Sequence, residues 1–543
     1  MRNPESGINI YFAVSSIDIN LSILSVTNGI LLLAVISFII FSIFKDKAYF
    51  ARPGFILLGA LHVFYQWPAF LLSTQIEYTF INALKFIFYV QAPVLALMIW
   101  LYFSRNINHQ IQIDNKSNSY SNISILNFSL ILSVIAILLG VYFYEVPFEC
   151  SGSYALLYDP SSLLLAREFS AKLIPQTYSS YAYGLIANTL SPVIAGFSVL
   201  GVINNIKNAQ YVRAFIWFAP FIVAVLTVLV SGIKGMLVPT IIMLMVISWF
   251  SFRNIVARSI SIIACIGALG IILVLYDVYS KNTLTSKRYD IVECAVELNA
   301  CDKTNKLLTS MYQREEGGLG LNRDKIVELS DELRNKCDYE LGSLEDSVNN
   351  GQKQYSVTGK GTDKGTDYLN SSYVQRHGWS IINRAILVPF QVMSWHYLYV
   401  ENNSSPGFAA IPFTRLFTGQ YVNVTELVYQ EYGSLYSSGD KTITSTAPTS
   451  FIYYYPAYTG LIGLSLAILI IILFDYIGTL MISKVPAKVL SISIGLLTII
   501  VYNFLLSDAV TVFFSHGGGG AVLLLLIWIV IGRNSHNNDQ KPE

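Results

Sequence analysis

Residues Thr444–Phe474 read TSTAPTSFIYYYPAYTGLIGLSLAILIIILF. From Ala457 onward no charged side chain occurs until Asp475. About 20 apolar residues at 1.5 Å each make a helix that crosses a hydrocarbon layer of ~30 Å. The pattern recurs: about eleven such runs begin near Leu21, Pro53, Ile81, Ile125, Tyr183, Ala214, Met236, Ser259, Ala457, Leu490 and Thr511. Composition agrees, with 53% hydrophobic and 13% charged residues and a mean hydropathy of +0.52. The expected fold class is an all-α polytopic integral membrane protein with about 11 transmembrane helices. A net charge of +1 gives no basic or acidic excess to attract nucleic acid.

Orientation follows from lysine and arginine in short loops, because positive flanks stay in the cytoplasm. Lys45, Lys47 and Arg52 follow the first run, Arg105 and Lys116 the third, and Lys207 and Arg213 the fifth. Arg253 and Arg258 follow the seventh, Lys484 and Lys488 the ninth, and Arg533 the last. The amino terminus is expected outside and the carboxyl tail inside. The first run is too long for a secretory h-region and is read as an anchor.

Three regions result. Residues 1–278 form a first helix block of about 8 spans, interrupted by an outer segment, 145–180. Residues 279–450 form a large outer loop between the eighth and ninth spans, with a polar half (279–365) and an aromatic half (373–450). Residues 451–543 form a second block of about three spans and a short tail. The polar half contains LNRDKIVELSDELRNKCDYELGSLEDSV, which has the look of solvated helices. The aromatic half contains IINRAILVPFQVMSWHYLYV, suited to lie in the interface or dip into the membrane. Of five cysteines, Cys150, Cys294, Cys301 and Cys337 fall in the two outer segments, where an oxidising compartment lets them pair. Four cysteines allow three connectivities, and Cys294 with Cys301 would close a small loop. No His/Cys group has metal-ligand spacing, so neither a metal nor a cofactor is expected.

Leu229–Pro239 reads LVSGIKGMLVP and places Lys234 between two apolar runs. Its flanking glycines let the backbone turn tightly and a ligand approach closely, which makes an anion at the outer face the natural partner. Arg384, in NRAILVP, offers a planar fork suited to phosphate oxygens on an interfacial helix; Arg376 and Arg415 are lesser candidates of the same kind. His377 and His516 are candidates for proton transfer, and His396 shares their outer setting. None has a catalytic spacing, so a structural role is the default for each. His62 lies within a span and is expected as a hydrogen-bonded core residue. Tyr453, Tyr454, Tyr455 and Tyr458 are expected as an interfacial aromatic belt, with a sugar-stacking platform as the alternative. Gly460 and Gly463 lie on one helix face and are expected to serve close helix packing.

This order of parts resembles the O-antigen polymerases, also called oligosaccharide repeat unit polymerases. The resemblance is carried by the S-x-R-G-like turn around Lys234, R-x4-P at Arg384–Pro389, and T-A-P-T-x-F-I followed by G-x2-G, over Leu229–Leu237 and Arg384–Gly463. Lys234 stands where such sequences usually have arginine, and Tyr454 where an acidic residue is common. The resemblance implies a metal-independent membrane glycosyltransferase of the bacterial inner membrane, with its active site facing the periplasm. Its substrates would be oligosaccharide repeat units on undecaprenyl diphosphate; the growing glycan of an O-antigen or capsule moves to the non-reducing end of the next unit. It further implies membrane lipids and a chain-length regulator as partners. Lys234 and Arg384, with Arg415 and Arg376, would hold the diphosphate leaving group, whose charge grows in the transition state. Glu145, Glu149, Asp159, Glu168 and Asp508 are outer carboxylates among which a base is sought.

An O-antigen ligase shares the spans, the large outer loop and the donor, and is the nearest rival. A flippase or transporter is the rival from another class; internal repeats and interrupted spans are its usual marks. A transferase using a polyprenyl monophosphate sugar is disfavoured, because the first outer loop, STQIEYT, lacks paired acids.

Overall fold

The computed structural model describes residues 23–72, 80–110, 132–138, 146–159, 185–229, 237–252, 256–263, 289–302, 323–337, 388–414, 419–432, 449–486, 489–514 and 516–538, with isolated positions between them. Among the described residues there is no strand. The first block contains α1 (Ile23–Lys45), α2 (Pro53–Leu61), α3 (Trp67–Leu72), α4 (Phe80–Phe103), α5 (Gly152–Tyr158), α6 (Ser191–Lys207), α7 (Tyr211–Leu229) and α8 (Val238–Ser251). Residues 279–450 hold α9 (Ile291–Glu297), α10 (Arg323–Lys336), α11 (Val388–Asn402) and α12 (Val424–Tyr432). The second block holds α13 (Phe451–Lys484), α14 (Leu490–Leu506), α15 (Ala509–Phe514) and α16 (Gly518–Asn538).

Among the described residues, four stretches are long and apolar enough to cross a membrane: Asn28–Lys45, Lys85–Phe103, Ile186–Lys207 and Phe451–Lys484. Shorter apolar helices cover Tyr211–Val225, Val238–Ser251, Leu490–Leu506 and Gly518–Val530. Most of the apolar runs thus coincide with described helices, whereas those from Ile125 and Ser259 lie largely outside the described residues.

α14 sits at the centre. Ile492, Ile494, Leu496, Leu497, Ile499 and Ile500 are all buried, as expected of a helix apolar on every face. α7 is the opposite case, because Val212, Phe215, Ile216 and Val223 stand exposed. In water that surface would be costly, but against lipid tails it costs nothing. Close approach in the centre uses small residues: a Cβ on Gly495 would run into Met243 of α8, and one on Gly196 into Ile247 of the same helix.

Among the described residues, two helical runs contain a single π turn, His62–Gln66 and Ile186–Leu190. In each, the next residue's N–H reaches back to the first residue of the turn, Trp67 to His62 and Ser191 to Ile186. Proline follows after one intervening residue in both, as Pro68 and Pro192. Proline lacks an N–H and crowds the carbonyl four residues back, and a widened turn relieves both problems. α2 and α3 are therefore one continuous helical run with a π turn in its middle.

At the end of the bundle carrying Lys45 and Lys484, a buried ion pair ties three helical runs together. Arg52 and Asp475 are both 0% exposed, with Nη2 to Oδ2 at 2.6 Å. Arg52 Nε also donates to Asp475, its Nη1 donates to the Ser104 carbonyl, and its Nη2 donates to Ser104 Oγ. Asp475 further accepts from Trp100 Nε1 at 2.7 Å and from the Gly54 N–H at 2.7 Å. Gly54 is required, since a Cβ there would lie 2.5 Å from Asp475 Oδ1. Arg52, read from the sequence only as an orientation marker, is a structural staple.

A second, separate core joins residues 146–169 to residues 289–337. Val146, Ala155, Leu165, Ala166 and Phe169 pack with Tyr289, Ile291, Val292, Ile326 and Leu333. Disulfides link Cys150 to Cys294 and Cys301 to Cys337, so the small Cys294–Cys301 loop does not form. Asp159 ties the halves as well, accepting from the Tyr289 N–H at 3.1 Å and Ser162 Oγ at 2.8 Å. In α10 one face is apolar while Arg334–Asp331 and Lys336–Glu332 pair on the wet side.

Candidate functional site

The stretch around Thr449–Gly463 forms a broken helix. Pro456 removes one N–H from α13, and Gly460 adopts φ 63°, ψ −136°, dividing the helix into Phe451–Thr459 and a long second half. That backbone region is open essentially to glycine alone. The expected role of Gly460 in helix packing is therefore corrected: it breaks the helix. A Cβ on Gly463 would meet the Tyr455 carbonyl at 2.3 Å, which is crowding within the broken helix itself.

A break inside a bundle frees carbonyls that need donors. Tyr397 Oη of α11 donates to the Tyr453 carbonyl at 3.2 Å, Thr459 Oγ1 to the Tyr455 carbonyl at 2.9 Å, and Ser405 Oγ to the Tyr458 carbonyl at 3.1 Å. The start of the helix is capped by Ser450, whose Oγ also donates to the Phe504 carbonyl at 2.7 Å. α11 dips among the membrane helices, burying Phe390 and Met393 in the main core, with Phe390 edge-on to Phe86 of α4.

The tyrosines are not an interfacial belt. Tyr453, Tyr454, Tyr455 and Tyr458 are 0%, 4%, 1% and 4% exposed, because α11, the 407–414 segment and the α14–α15 connection close over them. Tyr454 Oη donates to the Ala410 carbonyl, Tyr455 Oη donates to Asp508 Oδ2 at 2.6 Å, and Tyr458 Oη meets His396 Nδ1 at 2.8 Å. The ring of His396 stands edge-on to both Tyr454 and Tyr458. Tyr65 of the first π turn packs on Tyr453 with centroids 4.4 Å apart and donates to the Leu505 carbonyl at 2.6 Å. The result is a rigid wall of phenols rather than an open platform.

Asp508 lies between α14 and α15. Its Oδ1 accepts from the Val510 N–H at 2.8 Å and the Thr511 N–H at 3.4 Å. Burial pushes its carboxyl above the ordinary range, while the hydrogen bonds from Tyr455 and the α15 backbone oppose that rise. Of the other outer carboxylates, Glu149 is exposed, Asp159 serves the disulfide-linked core, and Glu145 and Glu168 lie outside the described residues.

His516 follows α15. Its backbone N–H donates to the Thr511 carbonyl at 3.0 Å and its carbonyl accepts from Asn503 Nδ2 at 3.4 Å. Thr189 of the second π turn donates to the neighbouring Gly517 carbonyl at 2.8 Å. Burial pushes the imidazole below its ordinary value, so the ring is neutral near pH 7.

Lys234, Arg376, His377, Arg384 and Arg415 lie outside the described residues. Their flanks are described: Lys234 falls between α7 and α8, Arg384 precedes α11, and Arg415 directly follows Thr414. Among the described residues no group of three or more His, Cys, Asp or Glu could hold a metal ion. Sequence reasoning did not anticipate the Tyr455–Asp508 and Tyr458–His396 pairs; the only signal was hydroxyl-rich sequence beside proline and glycine. No family model, curated protein or solved structure matches this chain.

Proposed function

We propose that the chain is a polymerase of lipid-linked oligosaccharide repeat units, acting at the periplasmic face of a bacterial inner membrane without a metal ion. It transfers the growing glycan from undecaprenyl diphosphate to the next unit in O-antigen or capsule synthesis. The observation that supports it best is the broken start of α13. Of the residues that carry the resemblance, Thr449–Gly463 build a buried phenol wall with the Asp508 carboxylate at its edge, beside the approach to a long apolar helix. Arg384 and Arg415 are covalently tethered to elements docked on that wall, and Lys234 lies in the connection between two spans. Cations fixed in a partly dehydrated site stabilise a departing diphosphate far better than they would in water.

Complementation of a polymerase-null strain tests this. Lys234→Ala and Arg384→Ala are expected to reduce long-chain polysaccharide to single-repeat caps on a gel, and normal ladders from both remove the assignment. Deletion of the gene itself leaves single-repeat caps for a polymerase and a bare core for a ligase.

One observation favours a second reading. Transporters build their sites from discontinuous helices with polar side chains within the membrane, and α13 is discontinuous. Vesicles holding the purified protein decide: elongation of lipid-linked oligosaccharide without a gradient supports the polymerase, and translocation without elongation supports a flippase.

A further inference from the structure

A chain of polar side chains crosses the apolar interior beside the phenol wall. His62 Nδ1 meets Gln66 Oε1 at 2.7 Å, Gln66 Nε2 donates to Gln91 Oε1 at 2.5 Å, and Gln91 Nε2 donates to Asn28 Oδ1 at 3.0 Å. The four residues come from α1, the first π turn and α4, and none is more than 5% exposed. Amides such as Gln66, Gln91 and Asn28 commonly join helices inside a membrane, whereas an ionisable group there, here His62, marks a site by default.

The chain has a direction. Each amide nitrogen donates toward Asn28, which leaves the Gln66 oxygen as the acceptor for His62. A carbonyl oxygen only accepts, so Nδ1 carries the imidazole proton and neutral His62 presents a bare lone pair at Nε2. That atom is buried and has no hydrogen-bond partner among the described residues. A buried acceptor without a donor carries a penalty of about 1–3 kcal/mol, and its natural complement is an O–H group. The arrangement, one ring nitrogen fixed by a carbonyl oxygen and the other free, is that of an oriented base.

Position links this histidine to the phenol wall. Tyr65, on the same π turn, packs on Tyr453, and α11 docks across the turn. Titratable neighbours on the surrounding helices are engaged elsewhere. Lys85 of α4 is exposed, Tyr89 of α4 stacks on Tyr397 of α11, and His396 of α11 bonds Tyr458. Tyr399 of α11 packs in a small separate cluster, and Lys45 lies over Phe41 at the end of α1. α2 and α3 contribute no charged group to the turn.

We propose that His62 is the general base of the polymerase, a reading that rests on the function proposed above. His62 Nε2 takes the proton of the acceptor sugar hydroxyl while that oxygen forms the new bond to the donor's anomeric carbon. The bond from that carbon to the diphosphate breaks, its electron pair leaves with the phosphate oxygen, and the imidazolium proton is returned to the departing diphosphate. Gln66 is a positioning residue that holds the tautomer.

The test uses the full chain in vesicles with purified lipid-linked repeat units. His62→Gln is expected to lower kcat by about 10²- to 10⁴-fold with little change in KM and to erase the acid limb of the pH–rate profile. Gln66→Glu, which places a negative charge beside the ring, is expected to move that limb to higher pH. Nitrogen NMR of ¹⁵N-histidine protein is expected to show His62 protonated at Nδ1, with an Nε2 signal that shifts when the lipid-linked unit is added. His62→Gln protein that elongates with the wild-type pH profile overturns the base while leaving the polymerase standing. So does an Nε2-protonated tautomer, or an Nε2 signal indifferent to substrate. Absence of elongation by wild-type protein overturns both. Because the NMR and Gln66→Glu arms keep the native histidine, they decide even if His62→Gln does not fold.

Discussion

Two buried polar networks in the same bundle have different characters. The Arg52–Asp475 centre is closed: both carboxylate oxygens and all three guanidinium nitrogens have partners, drawn from the start of α2, from α4 and Ser104 just after it, and from α13. The His62–Gln66–Gln91–Asn28 chain is open, since it ends on an imidazole nitrogen that has no hydrogen-bond partner among the described residues. A closed network spends all its hydrogen-bonding capacity on the fold, whereas an open one keeps a group in reserve for something that comes and goes. Disrupting the first should therefore cost stability, and disrupting the second should cost activity.

The largest effect is expected at the closed centre. Asp475→Asn leaves Arg52 charged in an apolar interior, a loss of about 3–5 kcal/mol, whereas the double replacement Arg52→Met with Asp475→Leu recovers much of it. Thermal unfolding in detergent measures both, and a single variant as stable as wild type breaks the contrast. A smaller loss, about 1–3 kcal/mol, is expected for Gly460→Ala, which forces a Cβ into a glycine backbone region. Its sharper readout is elongation, which should fall further than stability does. If the two fall together, the broken helix belongs with the structural features.

The smallest effect concerns His516. Its folded imidazole lies below the ordinary value of about 6.5 because it is buried, so the unfolded chain takes up the proton first as the solution is acidified. Stability is therefore complete above about pH 6.5 and declines as pH falls from there through the folded value. Melting curves recorded from about pH 7.5 to about pH 5.5 should show a steeper loss for wild type than for His516→Gln. Equal slopes would mean that burial of this ring has no hold on the titration.

How much of this was legible beforehand varies by feature. Each π turn is followed, after one intervening residue, by a proline, Pro68 or Pro192, and the break in α13 falls on a glycine four residues after Pro456. Backbone irregularities of this sort leave local marks. The tyrosines of Tyr453–Tyr458 were misread as a belt, because composition says that a residue is amphipathic without saying which face meets lipid. The pairing of Cys150 with Cys294, 144 residues apart, had no local mark either.

By itself, the sequence determined that the chain is helical and belongs to a membrane, and where most of its helices run. Those are properties of consecutive residues: apolar transfer and backbone hydrogen bonding are settled within about 20 positions. Only the tertiary structure decided which polar groups are satisfied and which are left waiting. Arg52 meets Asp475 across 423 residues and Tyr65 meets Leu505 across 440. A buried hydrogen bond needs a partner at about 3 Å, and distance in space between remote segments is not encoded in any short stretch of chain.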